Sequence, residues 1–227
     1  AYDFNPGNED IYMEGGDILI ARDDILLIGN GSRTSTHGID MLVNRLCKDN
    51  HKGKKHVIVQ QLPSQPESFI HLDMVFTMLD RDKCMVYEPL ILGDNQYQTV
   101  HITIDNGRVS KIKSVPNLLM ALKGLGMPLD PIVCGGKDDV WNQEREQWHS
   151  GANFFAIAPG KVLSYARNVY TLNELNNAGF EVIAAWDIIN GIKDANNYDR
   201  CVITIEGSEL PRGGGGARCM TMPLVRE

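Results

Sequence analysis

Cys219 follows a run of four glycines, Gly213 to Gly216, and stands beside Arg218. Glycines let the backbone come close to a ligand, and a neighbouring cation can favour the thiolate, the nucleophilic form of cysteine. A buried, inert thiol after a flexible loop is the plainer reading. His71 and Asp73 are two residues apart at the expected entrance to a strand, a spacing that puts both on one side. A carboxylate beside a histidine can orient it as a general acid and base, or the two can form only a strand-end hydrogen bond. Glu14 precedes Gly15 and Gly16, where it reads either as a ligand-facing carboxylate or as part of a turn. A thiol, an imidazole and carboxylates together suit a planar cation: carboxylates grip a guanidinium through paired hydrogen bonds, and a thiolate can attack its carbon.

A metal is the competing use of such residues. One His with two carboxylates makes a poor zinc set, and the sequence has neither HxxxH nor HExxH. It has no P-loop and no Rossmann fingerprint, and its glycine run lacks the Lys-Ser/Thr of a phosphate cradle. Of the other cysteines, Cys47 falls on the apolar side of a helix and Cys84, Cys134 and Cys201 fall in strand-like runs. These four read as structural.

The elements that must carry these residues recur. Residues 17–29 read as two short apolar strands joined by a charged turn at Arg22, Asp23 and Asp24. Ile39, Leu42, Val43 and Leu46 then mark one face of a helix, and 56–62 a strand. A second hairpin is expected from 74–79 and 84–87, and a third from 154–158 and 161–165 across Pro159-Gly160. After the third comes a helix over 171–178, with Thr171 as N-cap and Gly179 as its stop, and a closing strand at 180–185. A unit of hairpin, helix and strand thus begins near 17, 73 and 153, which points to a propeller or a solenoid; ββαβ is also common enough to recur by accident. The middle unit carries an insertion over 93–150. Within it, 97–114 is a hairpin turning at Asp105-Asn106-Gly107, 117–125 a short helix and 137–149 an exposed helix.

Composition excludes several classes. The 227 residues carry 22 Lys+Arg and 29 Asp+Glu, a formal net charge of −7, which is contrary to the basic footprint of a nucleic-acid-binding protein. The basic cluster at 51–56 reads as a solvated loop. No apolar run approaches the ~18 residues of a membrane span. Five cysteines without a CxxC pair support neither a disulfide scaffold nor a zinc ribbon, and suggest a reducing, cytoplasmic setting.

Six segments carry a family resemblance: MEGGD at 13–17, GNGSRT at 29–34, IHLDMVFTMLDRDK at 70–83, EREQW at 144–148, GANFFAIAPGKVLSYARN at 151–168 and GGGGARCMTMPLVRE at 213–227. In this order they resemble the arginine deiminases, and the ARCMTMPL wording separates these from the related agmatine deiminases. The resemblance implies an α/β propeller (pentein) of repeated ββαβ units, with 1–227 as one catalytic domain. It implies that Cys219 is the nucleophile and His71 the general acid and base. Glu14 and Asp73 would bind the guanidinium and orient His71, and Arg33 would contact the substrate carboxylate. The reaction implied is hydrolysis of L-arginine to L-citrulline and ammonia through a thiouronium on sulfur, with no metal and no organic cofactor. An amidinotransferase, a related deiminase or an inactive arginine-binding fragment are the alternatives.

Two positions depart from the family pattern. Some members have an Arg five residues before the nucleophile, where this chain has Gly214, with Arg212 displaced nearby. The family's N-terminal FxRDP-type segment, which supplies another guanidinium-binding Asp, has no counterpart here, and the chain starts at Ala1. The expectation is therefore an incomplete ring lacking its N-terminal part. Its activity alone would be lowered by about 2–5 kcal/mol of lost guanidinium binding, and the expected partners are the absent N-terminal segment or further copies of this chain.

Overall fold

Apolar alternation and turn chemistry divide the chain into short strands and helices, seen here in a computed structural model that describes residues 11–49, 53–213, 215–222 and 224. The first elements are β1 (Ile18–Arg22), β2 (Ile25–Asn30), α1 (Thr36–Lys48), β3 (Lys55–Gln61), β4 (Phe76–Met78) and β5 (Lys83–Val86). Then come α2 (Glu88–Ile91), β6 (Thr99–Asp105), β7 (Arg108–Val115), α3 (Leu118–Gly124), β8 (Asp130–Val133) and α4 (Val140–Trp148). The last are β9 (Phe155–Ala158), β10 (Lys161–Tyr165), α5 (Val169–Asn177), β11 (Glu181–Ala184), α6 (Ala185–Ile189) and β12 (Cys201–Ile205). Gly214, residues 51–52 of the basic cluster and the start at Ala1 lie outside the described residues.

The chain forms two compact units. The first takes the described residues up to Leu72 together with Tyr97–Pro116. It holds a sheet in the order β1-β2-β3-β6-β7. Ser35 caps α1 by accepting the Gly38 N–H through its hydroxyl, which satisfies one of the donors that a helix start leaves open. The expected apolar stripe of α1 then packs Ile39 and Val43 against Ile28, Val57 and Ile104 of the sheet. Burying each such side chain stabilises by about 1.5–3 kcal/mol.

The second unit takes Asp73–Gln96 and the described residues from Asn117 onward. It holds two sheets, β4-β5-β8 and β11-β12-β10-β9. Leu79, Met85, Ile132, Phe154, Val162 and Phe180 share one buried cluster. In each of the three sheets an antiparallel hairpin is followed by a parallel strand: β1-β2 then β3, β4-β5 then β8, β9-β10 then β12.

Several local expectations are corrected. The hairpin at 97–114, read as part of the middle unit's insertion, extends the first sheet, because β6 pairs antiparallel with β3. Gln60 and Thr99 show why: both are buried, and each satisfies the other, with the Thr99 hydroxyl donating to Gln60 Oε1 at 2.7 Å. The strand at 180–185 is present as β11, but the partner of the third hairpin is β12, which lies between β10 and β11. The cap of α5 is Asn168, not Thr171. Thr171 is instead fully buried, donating its hydroxyl to Glu146 Oε2 at 2.7 Å and accepting the Gly135 N–H at 2.8 Å. The helix at 137–149 is shorter, as α4, and only partly exposed: Gln143, Glu146 and Gln147 are buried on one side. The stretch expected to carry His71 and Asp73 into a strand contains a 3-10 turn, Leu72–Met74, so the two-residue alternation of a strand does not govern their directions.

Candidate active site

In the first unit, the segment around Glu14 is fixed by its neighbours before any ligand is considered. The Glu14 N–H donates to the buried Thr34 hydroxyl at 3.2 Å. Ser35 N–H donates to the Tyr12 carbonyl at 3.0 Å. The loop that caps α1 therefore also holds residues 12–14. Asp17, fully buried, accepts the Leu72 N–H through Oδ1 at 2.8 Å and ties the segment bearing His71 to the start of β1. Gly16 lies directly under the imidazole: a Cβ there would fall 2.5 Å from His71 Nδ1. The result is a contact between His71 Nε2 and Glu14 Oε2 at 2.7 Å, with the imidazole largely shielded and Glu14 open to solvent. A carboxylate at this distance fixes the orientation of the ring. Arg33 Nη1 stands 3.5 Å from Glu14 Oε1, with both side chains exposed. The structure thus brings Glu14, His71 and Arg33 together.

In the second unit the chemistry gathers at the turn 215–219. Asp73 is 2% exposed, and Arg218 Nη1 reaches its Oδ2 at 2.5 Å. Cys219 follows, its residue exposed overall but its sulfur turned in against Gly215: a Cβ on Gly215 would lie 3.0 Å from Sγ. Burial of the sulfur, and then the Asp73 carboxylate, push the Cys219 thiol up; the Gly216 N–H, the Arg218 guanidinium and the Asn153 amide oppose this without overcoming it. Arg218 was expected to favour the thiolate from its place in the sequence, and that pull is outweighed. Asn153, fully buried, donates to the Asp73 carbonyl at 3.2 Å and accepts the Arg218 and Cys219 N–H groups at 2.9 and 3.3 Å. Asn153 was not singled out from the sequence, although it stands at the head of the GANFF segment.

The four remaining cysteines are free thiols, and Cys84, Cys134 and Cys201 are buried. Burial pushes the Cys84 and Cys134 thiols far up, Cys134 to about 12, which leaves them protonated and inert. Among the described residues no group of three or more His, Cys, Asp or Glu side chains is arranged to hold a metal ion. No helix among them is long and apolar enough to cross a membrane.

The second unit thus sets a thiol near a buried carboxylate that grips a guanidinium, and the first unit holds a histidine against another carboxylate, both on an α/β scaffold of repeated hairpin-and-parallel-strand sheets. Solved structures share that scaffold. ArgZ, an arginine dihydrolase from the ornithine-ammonia cycle in cyanobacteria, aligns with a TM-score of 0.51 at 16% identity over 92% of this chain and 24% of its own. Inosamine-phosphate amidinotransferase StrB1 from Streptomyces griseus aligns with a TM-score of 0.52 at 13% identity, over 94% of this chain and 46% of its own. Their likeness shows the fold class, the α/β propeller (pentein) expected from the motifs.

Sequence comparison is more specific. The arginine deiminase family model matches residues 2–226. Arginine deiminase from Mycoplasma capricolum subsp. capricolum is 38% identical over 215 residues, 95% of this chain and 47% of the relative. Arginine deiminase from Staphylococcus haemolyticus is 36% identical over 222 residues, 97% of this chain and 49% of the relative. The chain belongs to the arginine deiminase family. It spans about half the length of the curated relatives it matches.

Proposed function

We propose that this chain acts on L-arginine, releasing L-citrulline and ammonia through a covalent intermediate on Cys219. The observation that carries the reading is the Asp73–Arg218 pair at 2.5 Å: the buried Asp73 carboxylate already binds a guanidinium, next to the nucleophile the family resemblance assigns. With substrate bound, Arg218 releases Asp73 and the substrate guanidinium takes its place, joined by Glu14. Arg33 meets the substrate carboxylate. The substrate's positive charge stabilises the Cys219 thiolate, offsetting the burial that otherwise keeps the thiol protonated.

The thiolate forms a C–S bond to the guanidinium carbon, giving a tetrahedral adduct. Protonated His71 donates to the departing nitrogen, the C–N bond breaks, and ammonia leaves a thiouronium on sulfur. Neutral His71 next takes a proton from water as its oxygen attacks the same carbon. The C–S bond breaks as the adduct's hydroxyl proton passes to solvent, the thiolate is restored and neutral citrulline leaves. Carboxylates that hold the planar cation in line supply much of the rate by orientation.

The reading treats 1–227 as one catalytic domain in which the stretch 93–150 lies between the second hairpin and the third. It places the reaction in the cytoplasm, a reducing compartment that suits five free thiols. The chain's partners on this reading are a further N-terminal segment or additional copies of the chain. The test is citrulline release from L-arginine by the purified chain and by Cys219→Ala. Release by the parent and none by the variant, with arginine binding retained in the variant, is the expected result. Arginine binding without turnover in both proteins favours a binding fragment. Amidino transfer to added glycine or ornithine in place of hydrolysis favours an amidinotransferase.

A further inference from the structure

We propose that Asn153 and Tyr165 are positioning residues that hold the turn 215–219, and with it Cys219, from its two ends. The inference rests on the reading of Cys219 as nucleophile but concerns residues that need not touch substrate. Tyr165 ends β10 and is 1% exposed. Its ring packs so closely on Gly207 that a Cβ there would lie 2.5 Å from Cδ1, and its hydroxyl donates to the Gly215 carbonyl at 2.8 Å. Gly215 has φ +79°, a left-handed conformation that glycine adopts without cost, and the Cys219 sulfur lies against it. Fixing Gly215 therefore fixes one wall of the nucleophile's surroundings.

Asn153 holds the other end. Burying a primary amide is costly unless its hydrogen-bonding capacity is used. Here the oxygen accepts from both Arg218 and Cys219 N–H, and the nitrogen donates to the Asp73 carbonyl. One side chain thus links the backbone of the nucleophile to the backbone of the guanidinium-binding Asp73. Between the two anchors the turn is closed by bonds within itself, such as Met220 N–H to the Gly216 carbonyl at 3.2 Å and Thr221 N–H to the Arg218 carbonyl at 3.2 Å, and by the Arg218–Asp73 pair. A glycine-rich turn of this kind keeps little rigidity of its own, so its precision must come from the β10 end and the buried amide.

The test is the rate of Cys219 alkylation by iodoacetamide as a function of pH. It is followed by peptide mass spectrometry on the full 227-residue chain, for the parent, Tyr165→Phe and Asn153→Ser. Tyr165→Phe keeps the ring packing and removes one hydrogen bond. Loosening Gly215 weakens the Gly216 N–H contact to sulfur, so the alkylation profile moves to higher pH and the rate near pH 8 falls about threefold or more. Asn153→Ser, where it folds, shifts the profile in the same direction and further. Where citrulline release is measurable, kcat falls about tenfold with KM changed less than about threefold. A Tyr165→Phe profile that superimposes on the parent's overturns the proposal, whatever happens to the melting temperature, because a merely structural role lowers stability without moving the thiol. Absence of citrulline release by the parent counts against the arginine reading and leaves the alkylation test intact.

Discussion

Arg218 carries a tension at the scale of single residues. Its guanidinium pairs with Asp73 Oδ2, and it also pulls the neighbouring thiol toward ionisation. Both services end when it is removed. Arg218→Gln is expected to lower KM for L-arginine by about three- to tenfold, since the substrate no longer displaces a resident cation from a charge-assisted hydrogen bond. The same substitution moves the acidic limb of the kcat profile to higher pH, because a cation that favoured the thiolate is gone. Steady-state kinetics across pH reads both effects, and an unchanged or raised KM contradicts the competition. Cys219, His71, Asp73 and Glu14 stand out in the sequence through their types, and Cys219 and Glu14 also through nearby glycines. Asn153 and Asp17 do not. Their work is to satisfy backbone N–H groups at Cys219 and Leu72, residues 66 and 55 positions away. No local pattern marks a partner that distant.

Among the elements, hairpins were the most legible. Asn106 and Gly107 both take positive φ, 52° and 73°, as a two-residue turn matched to strand twist requires. The stripe of α1 was legible because one face is apolar at helical spacing. What hid was pairing. β8 begins at Asp130-Pro131, a poor strand signature that parallel pairing with β5 overrides. The partner of β10 is β12, reached only after α5, β11 and α6 have intervened. The start of α5 was misread because Thr171 looks like a cap, whereas the cap function belongs to a residue of another helix. Glu146, 1% exposed on α4, accepts the Tyr170 and Thr171 N–H groups at 3.0 and 2.7 Å and the Thr171 hydroxyl. Glu146→Ala leaves those donors buried without an acceptor and is expected to cost about 2–4 kcal/mol. Urea titration checks this, and a loss under about 1 kcal/mol argues that water enters to replace the carboxylate.

At the scale of the whole molecule, acid should act first through the sheet of the first unit. His56 Nδ1 on β3 and His101 Nε2 on β6 stand 3.0 Å apart, so one ring must donate and the other accept. A proton on both turns that bond into two facing donors. Burial pushes both imidazoles down. His101 falls to about 4 with His56, Lys113 and Lys111 adding to the effect, while Asp24 resists the fall at His56, where Arg22 and Lys54 reinforce it. A histidine depressed in the folded state is protonated first in the unfolded chain, at about 6.5. Stability is therefore intact above about pH 6.5 and is lost as pH falls toward about 4. The thermal midpoint should drop between about pH 7.5 and about pH 5, and His101→Gln should flatten that slope. A midpoint constant over that range contradicts the assignment.

The place of β12 also bears on how the protein is made. β10 and β11 leave the ribosome before it, yet in the finished sheet each pairs with β12 and not with the other. Until residues 201–205 have been synthesised, both strands offer an open row of backbone donors and acceptors flanked by apolar side chains such as Val162 and Ile183, which the folded chain buries completely. Such edges are where a nascent chain recruits chaperones or joins other chains. The strand that finishes the third sheet is thus also the one that ends its period of greatest exposure to misassembly.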